Sequence, residues 1–271
     1  MHVAEGQALG LRYDYCKIDV NCSPYRTSSL TDLVSKAEES GFVGLNVTHP
    51  FKQKVVPLLD EMSDVVALLG SANSIVFQDG KRIGHNTDYI GYRSALRRAL
   101  PRASIDTVLL FGAGGAGRAV ALALLDQGTR NLILYDRNPA QSQELQGVLA
   151  RGRPRAHVRV AQDIDAVDWA TLDGAVNATP VGMNGYSGIP FHPEGLPHGG
   201  WVSDIVYFPK ETELIKAARQ AGLRTMDGTG MAVFQAVAVF HLFTQTPPDP
   251  DRMVRRFDQL SQRNSKEEQC L

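Results

Sequence analysis

The chain has 271 residues and a mass of 29.6 kDa, which suits one large domain or two small ones. Hydrophobic residues make up 43% and charged residues 21%, which excludes intrinsic disorder, and a net charge of -1 excludes a generally basic nucleic-acid-binding surface. No apolar run approaches the roughly 18 residues of a membrane span, and the start MHVAEGQALG lacks the basic head and apolar stretch of a signal peptide.

The first hundred residues alternate helical and extended patterns. Leu30, Leu33, Val34 and Ala37 recur at helical spacing, with Gly41 as a C-terminal stop. Residues 43–47 read as a short buried strand, and Pro50 marks the start of a further helix. Asp79-Gly80 between Ser74–Phe77 and Arg82-Ile83 is a hairpin signal. A helix follows from Asn86-Thr87-Asp88 to Leu100, with Ala95, Leu96 and Ala99 on one face, and Pro101 ends it.

Near residue 104 the pattern changes. The apolar strand Thr107–Phe111 is followed by glycines, a helix from Ala116 to Asp126, a stop at Gly128 and a second strand, Asn131–Tyr135. This is the repeating unit of a parallel sheet. Further strands are expected at Val158–Ala161, Gly174–Asn177 and Val202–Val206. Helices are expected over Glu211–Ala221 and Met231–Phe243, and a polar, frayed tail over residues 261–270. The fold class is α/β with two domains: a small mixed or parallel α/β domain over 1–101 and a Rossmann-type dinucleotide-binding domain over 102–227. Residues 228–271 are expected to return to the first domain.

Gly112-Ala113-Gly114-Gly115-Ala116-Gly117 fits the dinucleotide fingerprint at Gly112, Gly114 and Gly117. The first glycine permits the tight turn, the second lets a pyrophosphate approach the backbone, and the third brings helix and strand close. The amides of Gly115, Ala116 and Gly117 then sit where a helix N-terminus holds phosphate charge. Asp136, 19 residues after Gly117, is placed to accept hydrogen bonds from the adenosine ribose. Its charge opposes a 2′-phosphate and favours NAD. Arg137 pulls the other way, since a guanidinium binds such a phosphate, so NADP stands as the alternative cofactor. The plain alternative for Asp136-Arg137 is a solvated turn.

In the first domain, Thr48 and Lys52 are four residues apart, spanning a strand end and the first turn of a helix, so they can face one cavity. Asn73 opens the hairpin, and Asp88 lies in a first helical turn, where the dipole favours its anion. Lys52 and Asp88 could handle a proton together. Taken alone, such residues read as surface charges. The cysteines Cys16, Cys22 and Cys270 have no metal-ligand spacing and read as reduced thiols of a cytoplasmic protein; no metal site is expected.

Six blocks, in order and spacing, resemble the shikimate dehydrogenase family: residues 46–52 (NVTHPFK), 70–74 (GSANS), 86–88 (NTD), 177–183 (NATPVGM), 204–209 (DIVYFP) and 227–231 (DGTGM). Gln235 also fits. His49 and the run Gly84–Asp88 look most like the quinate/shikimate dehydrogenase branch, which often uses NAD. The resemblance implies hydride transfer between a nicotinamide cofactor and a ring hydroxyl of shikimate, quinate or a close analogue. Lys52 and Asp88 would be the catalytic pair, and Thr48, Asn73, Asp88, Tyr207 and Gln235 would bind substrate. Thr179, Val181, Met183 and Gly230 would lie near the nicotinamide and its ribose. His49 and His85 read as half-buried histidines without a catalytic role. Family members carry a strand and a Ser-x-Ser or Ser-x-Thr element before a Pro-x-Met-His; Met1-His2 resembles the end of that element, and the preceding residues are not in this sequence. The implied partner is a small-molecule substrate, with neither nucleic acid nor membrane, acting on a monomer or homodimer. The alternatives are an aminoshikimate-type relative and a cofactor-sensing module without turnover.

Overall fold

The computed structural model describes residues 1–268, and Cys270 lies outside them. In chain order the elements are α1 (His2–Ala8), α2 (Leu30–Glu39), β1 (Gly44–Asn46), β2 (Glu61–Met62), α3 (Asp64–Leu69), β3 (Ser74–Gln78), β4 (Lys81–His85), α4 (Thr87–Ala99), β5 (Thr107–Phe111) and α5 (Gly115–Asp126). They continue with β6 (Asn131–Tyr135), α6 (Pro139–Gly152), β7 (His157–Val160), β8 (Gly174–Asn177), β9 (Trp201–Asp204), α7 (Glu213–Gln220), β10 (Arg224–Met226), α8 (Thr229–Thr244) and α9 (Pro250–Glu268).

Two compact units result. The first comprises residues 1–87 and the chain from Gln235 onward; the second comprises Asp88–Phe234. The division falls inside helices α4 and α8, whereas the sequence suggests loops near 102 and 227. Composition marks where chain turns, but a helix can begin against one core and continue against another.

The first unit holds a mixed four-stranded sheet in the order β1-β3-β4-β2. β3 pairs antiparallel with β1 and β4, and β2 runs parallel to β4. Asp79 (φ 52) and Gly80 (φ 70) are both left-handed, the pair of conformations a two-residue type I′ hairpin requires. Val34, Val55, Val66, Ala72 and Ile75 form the core, with Leu45 and Val47 packed against it. The strand expected to be buried, β1, is instead an edge strand, and Val43 before it is 57% exposed. No helix starts at Pro50: residues 52–55 are turns leading into a 3-10 turn, Val56–Leu58. Pro57 explains this, because it has no N–H to continue an α-helical ladder from Pro50.

The second unit is a six-stranded, all-parallel sheet in the order β10-β9-β8-β5-β6-β7. Strand order reverses beside β5, which places a switch point between β5 and β8. β5, β6 and β8 carry apolar side chains on both faces, as a sheet covered on both sides demands: Leu109, Leu110, Leu132, Ala175 and Val176 are fully buried. Trp201, also fully buried, lies over Gly174, where any Cβ would meet its ring at 2.2 Å, and its Nε1 donates to Ser104 O at 2.7 Å. On α4 the buried face is Tyr92, Ala95 and Leu96; Ala99, expected on that face, is exposed.

α9 runs as a helix to Glu268 where a frayed tail was expected. It is anchored near its start by Arg252, whose guanidinium donates to both carboxylate oxygens of buried Glu5 on α1 (2.7 and 2.6 Å).

Candidate active site

Backbone hydrogen bonds gather three segments of the first unit at one end of its sheet. Val47 N–H donates to Asn73 O (2.7 Å), Ala72 N–H to Lys52 O (2.8 Å) and Asn73 N–H to His85 O (3.0 Å). Thr48, Lys52 and Asn73 are thereby held close in space although the strand-to-helix step expected between Thr48 and Lys52 is a turn. Thr48 is exposed and Lys52 half-buried.

At the centre of this region is a cluster of amides and hydroxyls. Asn73, 4% exposed, accepts at Oδ1 from Thr87 N–H (2.7 Å) and Ser74 Oγ (3.1 Å). Its Nδ2 donates to Thr87 Oγ1 (3.0 Å) and Gln235 Oε1 (3.4 Å), and Thr87 Oγ1 is 3.3 Å from the same Gln235 oxygen. Asn86 secures the loop by donating to Ser71 O (2.9 Å). Thr87 is fully buried and was not assigned a role from the sequence. Its signal was present, since it lies inside the Asn86-Thr87-Asp88 block, but nothing in spacing shows that it bridges Asn73 and Gln235. Because donors inside the cluster satisfy Gln235 Oε1, the Gln235 amide is turned so that Nε2 is the end available to another acceptor.

Asp88 follows Thr87 directly, in the first turn of α4, and is 5% exposed. A carboxylate there benefits from the helix dipole. His49 is exposed, contrary to the half-buried reading, because its turn lies beyond the edge strand. His85 is half-buried as expected, and burial holds its imidazole below the usual range.

The second unit presents a dinucleotide cradle. Gly112 (φ 97) turns the chain at the end of β5, with Ala178 O 2.8 Å from where a Cβ would lie. At Gly117 a Cβ would meet Gly112 O at 1.9 Å, so only glycine lets α5 pack this close to β5. Gly114 differs: a Cβ there would meet only Gln141 Oε1, at 4.0 Å, leaving open space in front of the backbone. Gly114 is the N-cap of α5 and offers no side chain to the first-turn amides of Gly115, Ala116 and Gly117. Open space, free amides and the positive end of a helix suit a pyrophosphate.

Asp136 sits at the end of β6 and does more than the sequence suggests. Its Oδ2 accepts from Ala113 N–H of the glycine loop (2.8 Å), and its Oδ1 from Asn138 N–H (2.8 Å). About half of a carboxylate's four or so lone-pair sites remain for ribose hydroxyls. Arg137 is exposed. The remaining cofactor candidates lie at the carboxyl ends of β8 and β9 or beside them. Thr179 and Val181 are half-buried, Met183 is 38% exposed and Tyr207 is 52% exposed. Gly228, whose N–H donates to Val206 O (3.2 Å), lies against the 205–206 backbone, and Gly230 packs on Ala95. Among the described residues no cluster of His, Cys, Asp and Glu could hold a metal ion, and no helix is long and apolar enough to cross a membrane.

Comparison with known proteins places this arrangement. Residues 1–75 match the shikimate dehydrogenase substrate binding domain. A quinate/shikimate dehydrogenase (NAD(+)) of Corynebacterium efficiens is 45% identical over 95% of this chain and 91% of its own. A shikimate dehydrogenase (NADP(+)) of Streptomyces avermitilis is 42% identical over 96% of this chain and 90% of its own. The structure of quinate dehydrogenase from Corynebacterium glutamicum in complex with NAD superposes with a TM-score of 0.89 at 42% identity, covering 95% of this chain and 92% of that one. With likeness of this degree running almost end to end, the chain belongs to the shikimate dehydrogenase family.

Proposed function

We propose that the protein is an oxidoreductase that moves a hydride reversibly between a nicotinamide cofactor, NAD in preference to NADP, and a ring hydroxyl of shikimate, quinate or a close analogue. The observation that carries the substrate class is the cluster of buried Asn73 and Thr87 with half-buried Gln235: pre-oriented amides suit a ligand rich in hydroxyl groups. Thr48, Asp88 and Tyr207 complete the set assigned to substrate. Gly112, Gly114, Gly115, Ala116 and Gly117 hold the pyrophosphate, Asp136 the adenosine ribose, and Thr179, Val181, Met183 and Gly230 the nicotinamide side.

The bound cofactor supplies the hydride acceptor or donor. Lys52 and Asp88 take the proton from the substrate hydroxyl during oxidation. During reduction Lys52 returns a proton, and its charge stabilises the developing alkoxide. The enzyme works in the cytoplasm as a monomer or homodimer; the exposed Cys16 and Cys22 carry no disulfide, as a reducing compartment allows.

Assays with shikimate and quinate, each with NAD and NADP, test the reading. Turnover of at least one acid with NAD is expected. Cofactor binding without turnover of either would point instead to a sensing module. Lys52→Ala separates the roles further: kcat should fall by more than about tenfold, or about 1.4 kcal/mol, with KM little changed. A smaller loss would remove Lys52 from the proton step.

A further inference from the structure

Two buried polar side chains at the carboxyl ends of β8 and β9 have no place in the site described so far. Asn177 and Asp204 face each other in register across the parallel ladder, and both are 0% exposed. Asp204 Oδ1 accepts from Asn177 Nδ2 (3.0 Å) and Val206 N–H (3.0 Å), and Oδ2 accepts from Thr212 Oγ1 (2.7 Å). Thr212 is in turn the N-cap of α7. Asn177 passes the linkage on: Nδ2 donates to Val181 O (3.0 Å), and Oδ1 accepts from Thr179 N–H (3.0 Å) and Thr179 Oγ1 (2.6 Å). One carboxylate thus ties together the loop after β8, the loop after β9 and the start of α7.

The topology says what those loops face. In a doubly wound sheet the ligand lies across the carboxyl ends of the strands at the switch point. The glycine loop after β5 and Asp136 on β6 take the pyrophosphate and adenosine, which leaves the ends of β8 and β9 for the other half of a dinucleotide. We propose that Asp204 is a positioning residue for the nicotinamide–ribose half of the cofactor, holding the Thr179–Val181 and Val206–Tyr207 segments in the arrangement that half binds. The proposal rests on the cofactor reading above.

The electrostatics argue against a purely structural role. Burial pushes the Asp204 carboxyl up to about 6, against the pull of hydrogen bonds from Thr212, Val206 and Asn177, with the Asp227 carboxylate adding to the rise. A charge so placed weakens the fold. Yet the geometry calls for an acceptor-only group, because all three neighbours donate to it.

The test is titration of the full chain with NAD and with ADP, which keeps the adenosine and the pyrophosphate and lacks the nicotinamide and its ribose. Asp204→Ala, which removes every acceptor, should weaken NAD at least about tenfold and leave ADP within about twofold of wild type, because preorganised loops are needed only by the missing nicotinamide–ribose half. Asp204→Asn keeps an oxygen for Asn177 and Val206, but a neutral one, and should weaken NAD only about threefold. Should Asp204→Ala fail to fold, Asp204→Asn decides by the same comparison. Equal effects on the two ligands, or none, overturn the proposal. Failure of the wild-type protein to bind either ligand would instead overturn the cofactor reading, and this inference with it.

Discussion

Asp204 makes a residue-level prediction about stability that runs opposite to its effect on binding. Its carboxyl is raised from 3.8 to about 6 in the folded protein, chiefly by burial. Folding therefore takes up a proton between those values. The group favours the native state below about pH 4, and that contribution is lost as pH rises through about 6, amounting to about 3 kcal/mol for a two-unit shift. Asp204→Asn has no such dependence, so its stability relative to wild type should climb between about pH 4 and pH 7 by up to that amount. Denaturant unfolding at several pH values measures it, and a pH-independent difference would refute it. Thr87 supports a second prediction. Thr87→Val removes the hydroxyl that accepts from Asn73 Nδ2 and approaches Gln235 Oε1, at nearly constant volume. Losing such a link costs about 1 kcal/mol, so substrate KM should rise about fivefold with NAD affinity unchanged, and Thr87→Ser should restore most of it. A Thr87→Val enzyme with unaltered KM would show that the bridge is idle. At this scale the sequence singled out glycine, lysine and aspartate candidates by type and assigned no role to Thr87, Asn177 or Asp204. A hydrogen-bond hub is defined by which atoms meet, and residue type does not reveal that.

Among the elements, those with strong local signals were legible and those without were not. β5 and β6 carry the apolar cores 108–111 and 132–134, β8 the buried Ala175-Val176 pair, and the hairpin at Asp79-Gly80 carries its own turn chemistry. β2 and β10 have two and three residues, too short to show periodicity. α6 did carry a signal, an Asn138 cap followed by Pro139, but its buried residues are only Ser142, Leu145, Val148 and Leu149, a thin stripe in a polar helix. The helix expected from Pro50 failed because Pro57 interrupts it. Gly174 shows how an element can be set by what it lacks. Gly174→Ala would drive a methyl to 2.2 Å from the Trp201 ring, a contact that must force β8 and β9 apart. Overpacking of this kind costs about 1–3 kcal/mol. A lowered Tm with altered tryptophan fluorescence is expected; an unchanged Tm would mean that the ring moves aside freely.

For the whole molecule, the chain folds two units while leaving the first in two pieces, so that Asn73 and Gln235 meet across 162 residues of sequence. No spacing rule reaches that far, which is why the substrate cluster was named by resemblance while the glycine loop could be argued from its own residues. That loop is also where ligand and stability meet. Asp136 is fixed by Ala113 and Asn138 N–H groups, and on the proposed cofactor reading its charge would oppose a 2′-phosphate while exposed Arg137 would offset part of the repulsion. If the balance favours NAD by about tenfold, linkage turns it into a thermal signal. NAD at about 100 times its Kd stabilises the protein by about 2.7 kcal/mol, and NADP at the same concentration by about 1.4 kcal/mol. At roughly 2–4 °C per kcal/mol for a domain of this size, NAD should raise Tm by about 3–5 °C more than NADP. Asp136→Ser should close that gap and lower both shifts, since it also releases the glycine loop. Equal shifts from NAD and NADP in the wild-type protein would mean that Arg137 outweighs Asp136 and that both cofactors are used.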